Sequence, residues 1–188
     1  MLLSNCCYYS MKVKGTKEEV EEFIQVVKAD YDYNTMEFSF DRHLQKVFTA
    51  EDDDIEVIDS NTCSVIICGE CAWSVAVCML EDDGYYDDMK ARLGDKFRGT
   101  TLEIESERLN LDIEVFSEEC GMCFQEHYLI KHGMVEIEDC VDWNEYFLDE
   151  YETKEEAEED LDIEITDDEW EEREMITRGG FGDWEFTI

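Results

Sequence analysis

Residues 61–80, NTCSVIICGECAWSVAVCML, are the most apolar stretch of the chain and the one the rest has to cover. Their length and composition predict a long central strand, bent or bulged at Gly69, because glycine inside a strand marks such an irregularity. Upstream, residues 8–14 (YYSMKVK) alternate and a Gly-Thr step follows, which reads as a strand entering a helix capped at Thr16. That helix, TKEEVEEFIQVVKAD, spaces Val20, Phe23, Ile24 and Val27 at the helical period. Glu18 and Glu19 occupy its first turn, where the dipole favours anions.

Between 30 and 59 the pattern is weaker: a short strand over 36–40, a helical turn or loop over 41–50, and an acidic loop over 51–58 leading to a strand. After the apolar run, residues 81–88 open a helix that passes through Met89 and Leu93 and ends near Gly94. Thr101 caps a second helical stretch, LEIESERLN. Residues 111–116, 122–130 and 134–140 alternate as strands, the last two joined by a three-residue, Gly-containing turn at 131–133 typical of a hairpin. The order β-α-β-β-α-β followed by a hairpin predicts an α+β fold with helices on one face of an antiparallel sheet. With no proline in the chain, Gly, Asn and Asp must punctuate these elements.

Composition bounds function through charge. The chain carries 52 acidic against 15 basic residues, a net charge of −37. Phosphate contacts need Lys and Arg, so direct binding to DNA, RNA or anionic membrane is excluded in favour of cationic partners. The 10 Phe, 9 Tyr and 4 Trp argue against the disorder that such a charge alone would suggest. A halophilic origin is the competing account of the acidity, and nine cysteines with abundant aromatics do not suggest it. The N-terminal residues lack the apolar core of a signal peptide and no run reaches membrane-spanning length, which points to a cytoplasmic protein with reduced thiols.

From Trp143 onward the composition changes. Residues 141–188 hold twenty acids and three bases, interleaved with Trp143, Tyr146, Phe147, Tyr151, Trp170, Phe181, Trp184 and Phe186. Residues 1–140 therefore read as one domain and 141–188 as an acidic, aromatic-rich, helical extension packed on it. Within the extension, residues 155–174 (EEAEEDLDIEITDDEWEERE) hold thirteen carboxylates and one base. As one helix rising about 1.5 Å per residue, they carry a charge every ~2.3 Å, approaching the ~1.7 Å of duplex DNA. Six like-charged i,i+4 pairs disfavour such a helix by about 1–3 kcal/mol, and a cationic partner relieves that repulsion. The competing reading of any acidic run is a solvated face.

The candidate partner-binding residues are three clusters: Glu51, Asp52, Asp53 and Asp54; Asp82, Asp83, Asp87 and Asp88; and Glu155, Glu156, Glu158, Glu159, Asp160, Asp162, Asp167, Asp168, Glu169, Glu171, Glu172 and Glu174, with Trp170 among them as an exposed aromatic. Two CxxC steps, Cys68/Cys71 and Cys120/Cys123, have the paired spacing of a tetrahedral zinc site. Cysteines three apart on an extended strand point to opposite faces, however, so only a bulge at Gly69 lets the first pair converge. Buried apolar thiols are the simpler account, and no metal or other cofactor is expected. Asp30, Asp32 and Asn34 echo a calcium loop but lack its glycine and closing Glu. Gly179, Gly180 and Gly182 lack the Lys and helix of a phosphate cradle and read as a turn. His43, His127 and His132 show no spacing to a nucleophile, so no enzyme is expected.

The block at 97–143, FRGTTLEIESERLNLDIEVFSEECGMCFQEHYLIKHGMVEIEDCVDW, resembles acidic proteins with a ferredoxin-like domain that phages, plasmids and conjugative elements of Gram-positive bacteria carry. The features behind it are Trp73-Ser74 after a Gly-containing strand, and DIEVFSEE followed by Gly121 and Phe124-Gln125-Glu126. The resemblance spans about 60–188; Cys120 and Cys123 depart from the family's pattern. It implies a ferredoxin-like antiparallel sheet and a mobile-element context. Such elements encode anti-CRISPR inhibitors that occupy the positively charged channels of Cas effectors, where arginines read the PAM. Charge and context together predict a nucleic-acid mimic that blocks a basic nucleic-acid-binding defence protein, a Cas9-type effector first, inside the bacterial host cell. The alternative is an acidic accessory or regulatory protein of a mobile element that acts through protein contacts without mimicry.

Overall fold

The computed structural model describes residues 6–28, 46–49, 55–80, 90–97, 99–173 and 175–188. The alternating first segment forms β1 (Cys6–Gly15) and leads through Thr16 into α1 (Lys17–Lys28). Thr16 and Glu19 cap each other reciprocally: the Thr16 N–H donates to Glu19 at 2.9 Å, and the Glu19 N–H to the Thr16 hydroxyl at 3.4 Å. Val20, Phe23, Ile24 and Val27 are all buried, as their spacing predicts. Each such side chain is worth about 1.5–3 kcal/mol of burial.

Two short strands follow, β2 (Lys46–Thr49) and β3 (Glu56–Val57). The first stands where a helical turn or loop was expected. The expected strand at 36–40 lies outside the described residues. The apolar run divides into β4 (Cys63–Ala72) and α2 (Val75–Met79). The bulge foreseen at Gly69 is absent from β4: the strand pairs with β1 in unbroken register from Cys6↔Ala72 to Gly15↔Cys63. The irregularity sits instead in β2, between Val47 and Thr49 opposite Gly69 and Cys68, as expected if a central strand keeps its ladder and a short edge strand absorbs the bulge. The chain leaves β4 through Trp73, whose φ is 69°.

Residues 90–93 are helical and a 3-10 turn, Gly94–Lys96, ends them. Helix α3 (Leu102–Leu109) starts at Thr101, whose hydroxyl accepts from the Ile104 N–H at 3.3 Å, and stops at Asn110 with φ 52°. Three long strands complete the frame: β5 (Asp112–Glu119), β6 (Phe124–Lys131) and β7 (Met134–Phe147). The β6–β7 turn consists of His132 and Gly133, both with positive φ, one residue tighter than expected. Helices α4 (Lys154–Leu161) and α5 (Asp167–Glu172) follow, and β8 (Met175–Gly179) returns antiparallel along the end of β7.

The result is an α+β protein on one antiparallel sheet ordered β2-β4-β1-β5-β6-β7-β8, with β3 also on β4. Cys7, Tyr9, Met11 and Val13 of β1, Ile113 and Val115 of β5, and Tyr128 and Ile130 of β6 share one core with apolar residues of α1, α2 and α3. The helices therefore cover one sheet face. On the other face residues 181–188 lie over β5 and β6. The Phe116 ring stacks on His127 at 4.0 Å and on Trp184 at 5.8 Å, and packs edgewise on Phe181 and Phe186. That cover buries both faces of residues 113–117. A second small core of Leu148, Ala157, Ile165 and Ile176 lies beneath α4 and α5. The boundary expected at 140/141 falls inside β7, which runs through it without interruption.

Candidate functional site

The acidic run is not one helix. Thr153 accepts from the Glu156 N–H at 3.2 Å and starts α4, which ends at Asp162 with φ 55°. Thr166 then builds a full capping box with Glu169, with hydrogen bonds of 3.2 and 2.8 Å, and starts α5. The break has a packing cause. At about 100° per residue, a straight helix puts Ala157, Leu161 and Ile165 on one side and Ile163 and Trp170 on the other. Breaking at 162–166 lets all five reach the same small core. Two of the six expected like-charge pairs, Glu158–Asp162 and Asp160–Glu164, are thereby dissolved, and four remain within the helices.

Every base of the extension staples this helix pair. Lys154 Nζ lies 2.8 Å from Asp167 and 4.0 Å from Glu158, tying the start of α4 to the start of α5. Arg178 on β8 donates to Glu169 at 2.9 Å and to the Glu164 carbonyl at 3.1 Å. Arg173 donates to the Tyr151 carbonyl at 2.9 Å while its guanidinium lies 4.0 Å from the centre of the Trp170 ring. The electrostatic consequences follow. Hydrogen bonding from Arg178, then from the Thr166 backbone, pulls Glu169 down to about 2. Bonding to Lys154 lowers Asp167, and the same bond raises Lys154. The Tyr151 hydroxyl, raised by its bond to Asp160, donates to it at 2.8 Å.

The expected site residues thus divide. Glu156, Glu158, Asp160, Asp167 and Glu169 hold the fold together through hydrogen bonds or ion pairs. Trp170, expected as an exposed aromatic, is half-buried against the small core under Arg173. Glu155, Glu159, Asp162, Asp168, Glu171 and Glu172 are exposed. These six carboxylates project from a backbone that the other five pin in place. Glu51, Asp52, Asp53, Asp54, Asp82, Asp83, Asp87, Asp88 and Glu174 lie outside the described residues, as do the calcium-loop candidates Asp30, Asp32 and Asn34, and His43.

The structure adds acids that the sequence reading assigned to a hairpin strand or to the extension at large, and not to a partner surface. Glu136, Glu138, Asp139, Asp142 and Glu145 are exposed along β7, which leads directly to the helix pair. The alternation that identified the strand also carried this signal, since its polar positions are nearly all carboxylates.

The CxxC pairs do not form a metal centre. Cys71 is buried in the main core and held as a neutral thiol by its Cys7 and Cys78 neighbours and by burial. Cys68 faces the other way, 3.5 Å from the Ser10 hydroxyl. Cys120 and Cys123 lie in the β5–β6 turn, where Cys123 donates to the Cys120 carbonyl at 3.4 Å. Among the described residues no group of three or more His, Cys, Asp or Glu is placed to hold a metal ion. None of the nine cysteines forms a disulfide.

Sequence reasoning missed a polar anchor beneath the C-terminal residues. Glu114, fully buried, accepts from the Thr187 N–H at 2.6 Å, the Ile188 N–H at 3.2 Å and the Thr187 hydroxyl at 3.1 Å. His127 Nε2 lies 2.9 Å from the same carboxylate. The glycines read as a turn do make one: Gly179, Gly180 and Gly182 have φ of 82°, 71° and 69° and swing the chain from β8 onto the sheet face.

Fold and surface together define an acidic α+β protein with a stapled helix pair at one edge of its sheet. Comparison with protein-family models, with curated proteins and with solved structures finds no match.

Proposed function

We propose that this chain is a mobile-element inhibitor of a basic, nucleic-acid-binding host-defence protein, with a Cas9-type CRISPR effector as the first target. It acts stoichiometrically, by acidic mimicry of nucleic acid, in the cytoplasm of a bacterial host. The core is read as a ferredoxin-like domain: β1, α1, the β2/β3 edge, β4, α3 and β5 come in the order β-α-β-β-α-β, with α2 and the helical turn at 90–96 inserted between β4 and α3, and the strands lie as β2-β4-β1-β5. Residues 141–188 form its acidic extension. One observation carries the reading: six exposed carboxylates stand on a helix pair and its connection, held together by Lys154 and Arg173 and tied to β8 by Arg178. A folded, pre-positioned set of anions costs a partner little ordering entropy, unlike a loose acidic tail.

The test is inhibition of target cleavage by a panel of Cas effectors, with the intact chain and with Glu155, Glu159, Asp168, Glu171 and Glu172 changed to amides. These positions avoid the stapling residues, so the variant keeps its fold. Inhibition by the intact chain that is lost in the variant supports mimicry by this surface; inhibition that survives in full removes it. A second reading, an accessory protein docking through apolar contacts, is favoured by exposed Tyr8, Trp73 and Met122. Salt separates the two, because binding through opposed charges weakens steeply as salt rises and apolar docking does not.

A further inference from the structure

Trp73 is a bulky residue in the left-handed region, with φ 69°, where Gly or Asn is the usual occupant. Such a conformation persists only where the surroundings over-determine it, and here they do. The Ser74 N–H donates to the Ala72 carbonyl at 3.0 Å, and the Ser74 hydroxyl caps α2 by accepting from Val77 at 3.1 Å. Buried Glu126 takes the Val75 and Ala76 N–H groups at 2.8 and 3.3 Å and is itself held by Ser117 and Tyr128 at 2.6 and 3.2 Å. The clamp presents an indole that remains 47% exposed.

The end of the sheet that carries Trp73 is both apolar and anionic. Register places the start of β1 next to the end of β4 (Cys6↔Ala72), and the β5–β6 turn on its other side (Cys7↔Glu119). Exposed Tyr8 and Met122 therefore share the end of the sheet with Trp73. Tyr8 lies opposite Glu70 on β4 and Glu118 on β5. The negative field there is strong enough to register on a neighbour: Cys120 is pushed up to about 11, by burial first and then by Glu118, Glu119 and Glu145.

We infer that this end of the sheet is a second contact surface for the cationic partner, with Trp73 as its anchor and an arginine side chain as the group it takes. Guanidinium is planar, weakly hydrated and stacks on aromatic faces, whereas ammonium is compact and strongly hydrated. Carboxylates at the same end of the sheet, Glu70 and Glu118 among them, supply the anionic acceptors that a guanidinium needs. The inference rests on the proposed reading of the chain as a binder of basic protein surfaces.

The experiment is fluorescence polarisation of the full chain with a labelled arginine-rich peptide and a lysine-rich peptide of equal length, at low salt. Trp73→Gly removes the indole and suits the backbone angle; it weakens the arginine peptide roughly three- to thirtyfold, the range of one cation–π contact, and the lysine peptide less. If Trp73→Gly binds the arginine peptide like the parent while the five-amide helix variant does not, the anchor is wrong and the mimicry reading stands. If the parent binds neither peptide, both are wrong. Should Trp73→Gly fail to fold, Trp73→Phe decides: a weaker ring quadrupole lowers arginine-peptide affinity about two- to threefold, and unchanged affinity overturns the inference.

Discussion

Glu114→Gln changes one atom of a carboxylate that holds the last residues of the chain against the sheet, and its effect can be worked out donor by donor. One carboxylate oxygen accepts from the Thr187 and Ile188 N–H groups, and the other from His127. A glutamine keeps the first set only by turning its carbonyl toward the tail and its amide toward the ring. Both tail bonds then become neutral. Hydrogen bonds to a charged group are worth about 1.5–3 kcal/mol net, against about 0.5–1.5 for neutral ones. Two such bonds lose roughly 2 kcal/mol of docking free energy, about a thirtyfold shift in the local opening equilibrium. Amide hydrogen exchange reads this directly: Thr187 and Ile188 exchange about thirtyfold faster in the variant, while amides of β1 and β4 do not change. Trp184 fluorescence shifts red as its stacking on Phe116 loosens. Unchanged exchange at 187 and 188 would refute the assignment of Glu114 as the anchor. So would an equal acceleration everywhere, which marks general destabilisation instead.

Two further outcomes follow from the electrostatics. Glu169 titrates near 2 in the folded chain against an ordinary 4.5. A depressed carboxyl stabilises fully above the unfolded value and loses that contribution as pH falls from 4.5 toward 2, so the melting-temperature difference between the parent and Glu169→Gln shrinks over that window. A difference that stays constant from pH 6 to pH 2 contradicts the Arg178 pairing. Cys120, raised from 9.0 to about 11, holds about a hundredfold less thiolate at pH 8 than an ordinary cysteine, so a thiolate-specific reagent labels it correspondingly more slowly than free cysteine. A rate equal to that of free cysteine shows that neither burial nor the acidic surroundings act on the turn.

Much of the architecture was legible because it rests on local periodicity. Thr16 and Thr101 as caps, the buried face of α1 and the strands of the β5–β6–β7 meander all follow from spacing. The split of the acidic run was also written locally: Thr153 and Thr166 each stand three residues before a glutamate, the signature of a capping box. Charge count obscured it. What spacing cannot show is which side of a strand another segment later covers. Glu114 occupies a position that alternation assigns to solvent, and only the distant residues 181–188 make it interior. Trp73 is equally opaque, because the strain at its backbone comes from Glu126, a residue 53 positions away in sequence.

Because β7 is shared between two pairings, with β6 over most of its length and with β8 at its end, the acidic helices have no clean point of severance. Shortening the chain after residue 140 would strip the β6 edge of part of its partner and uncover the rings on the far side of the sheet. Anyone wishing to transplant the anionic helices onto another scaffold must therefore take the whole of Met134–Phe147 with them. Load applied at the helices is delivered along that strand to its neighbour β6.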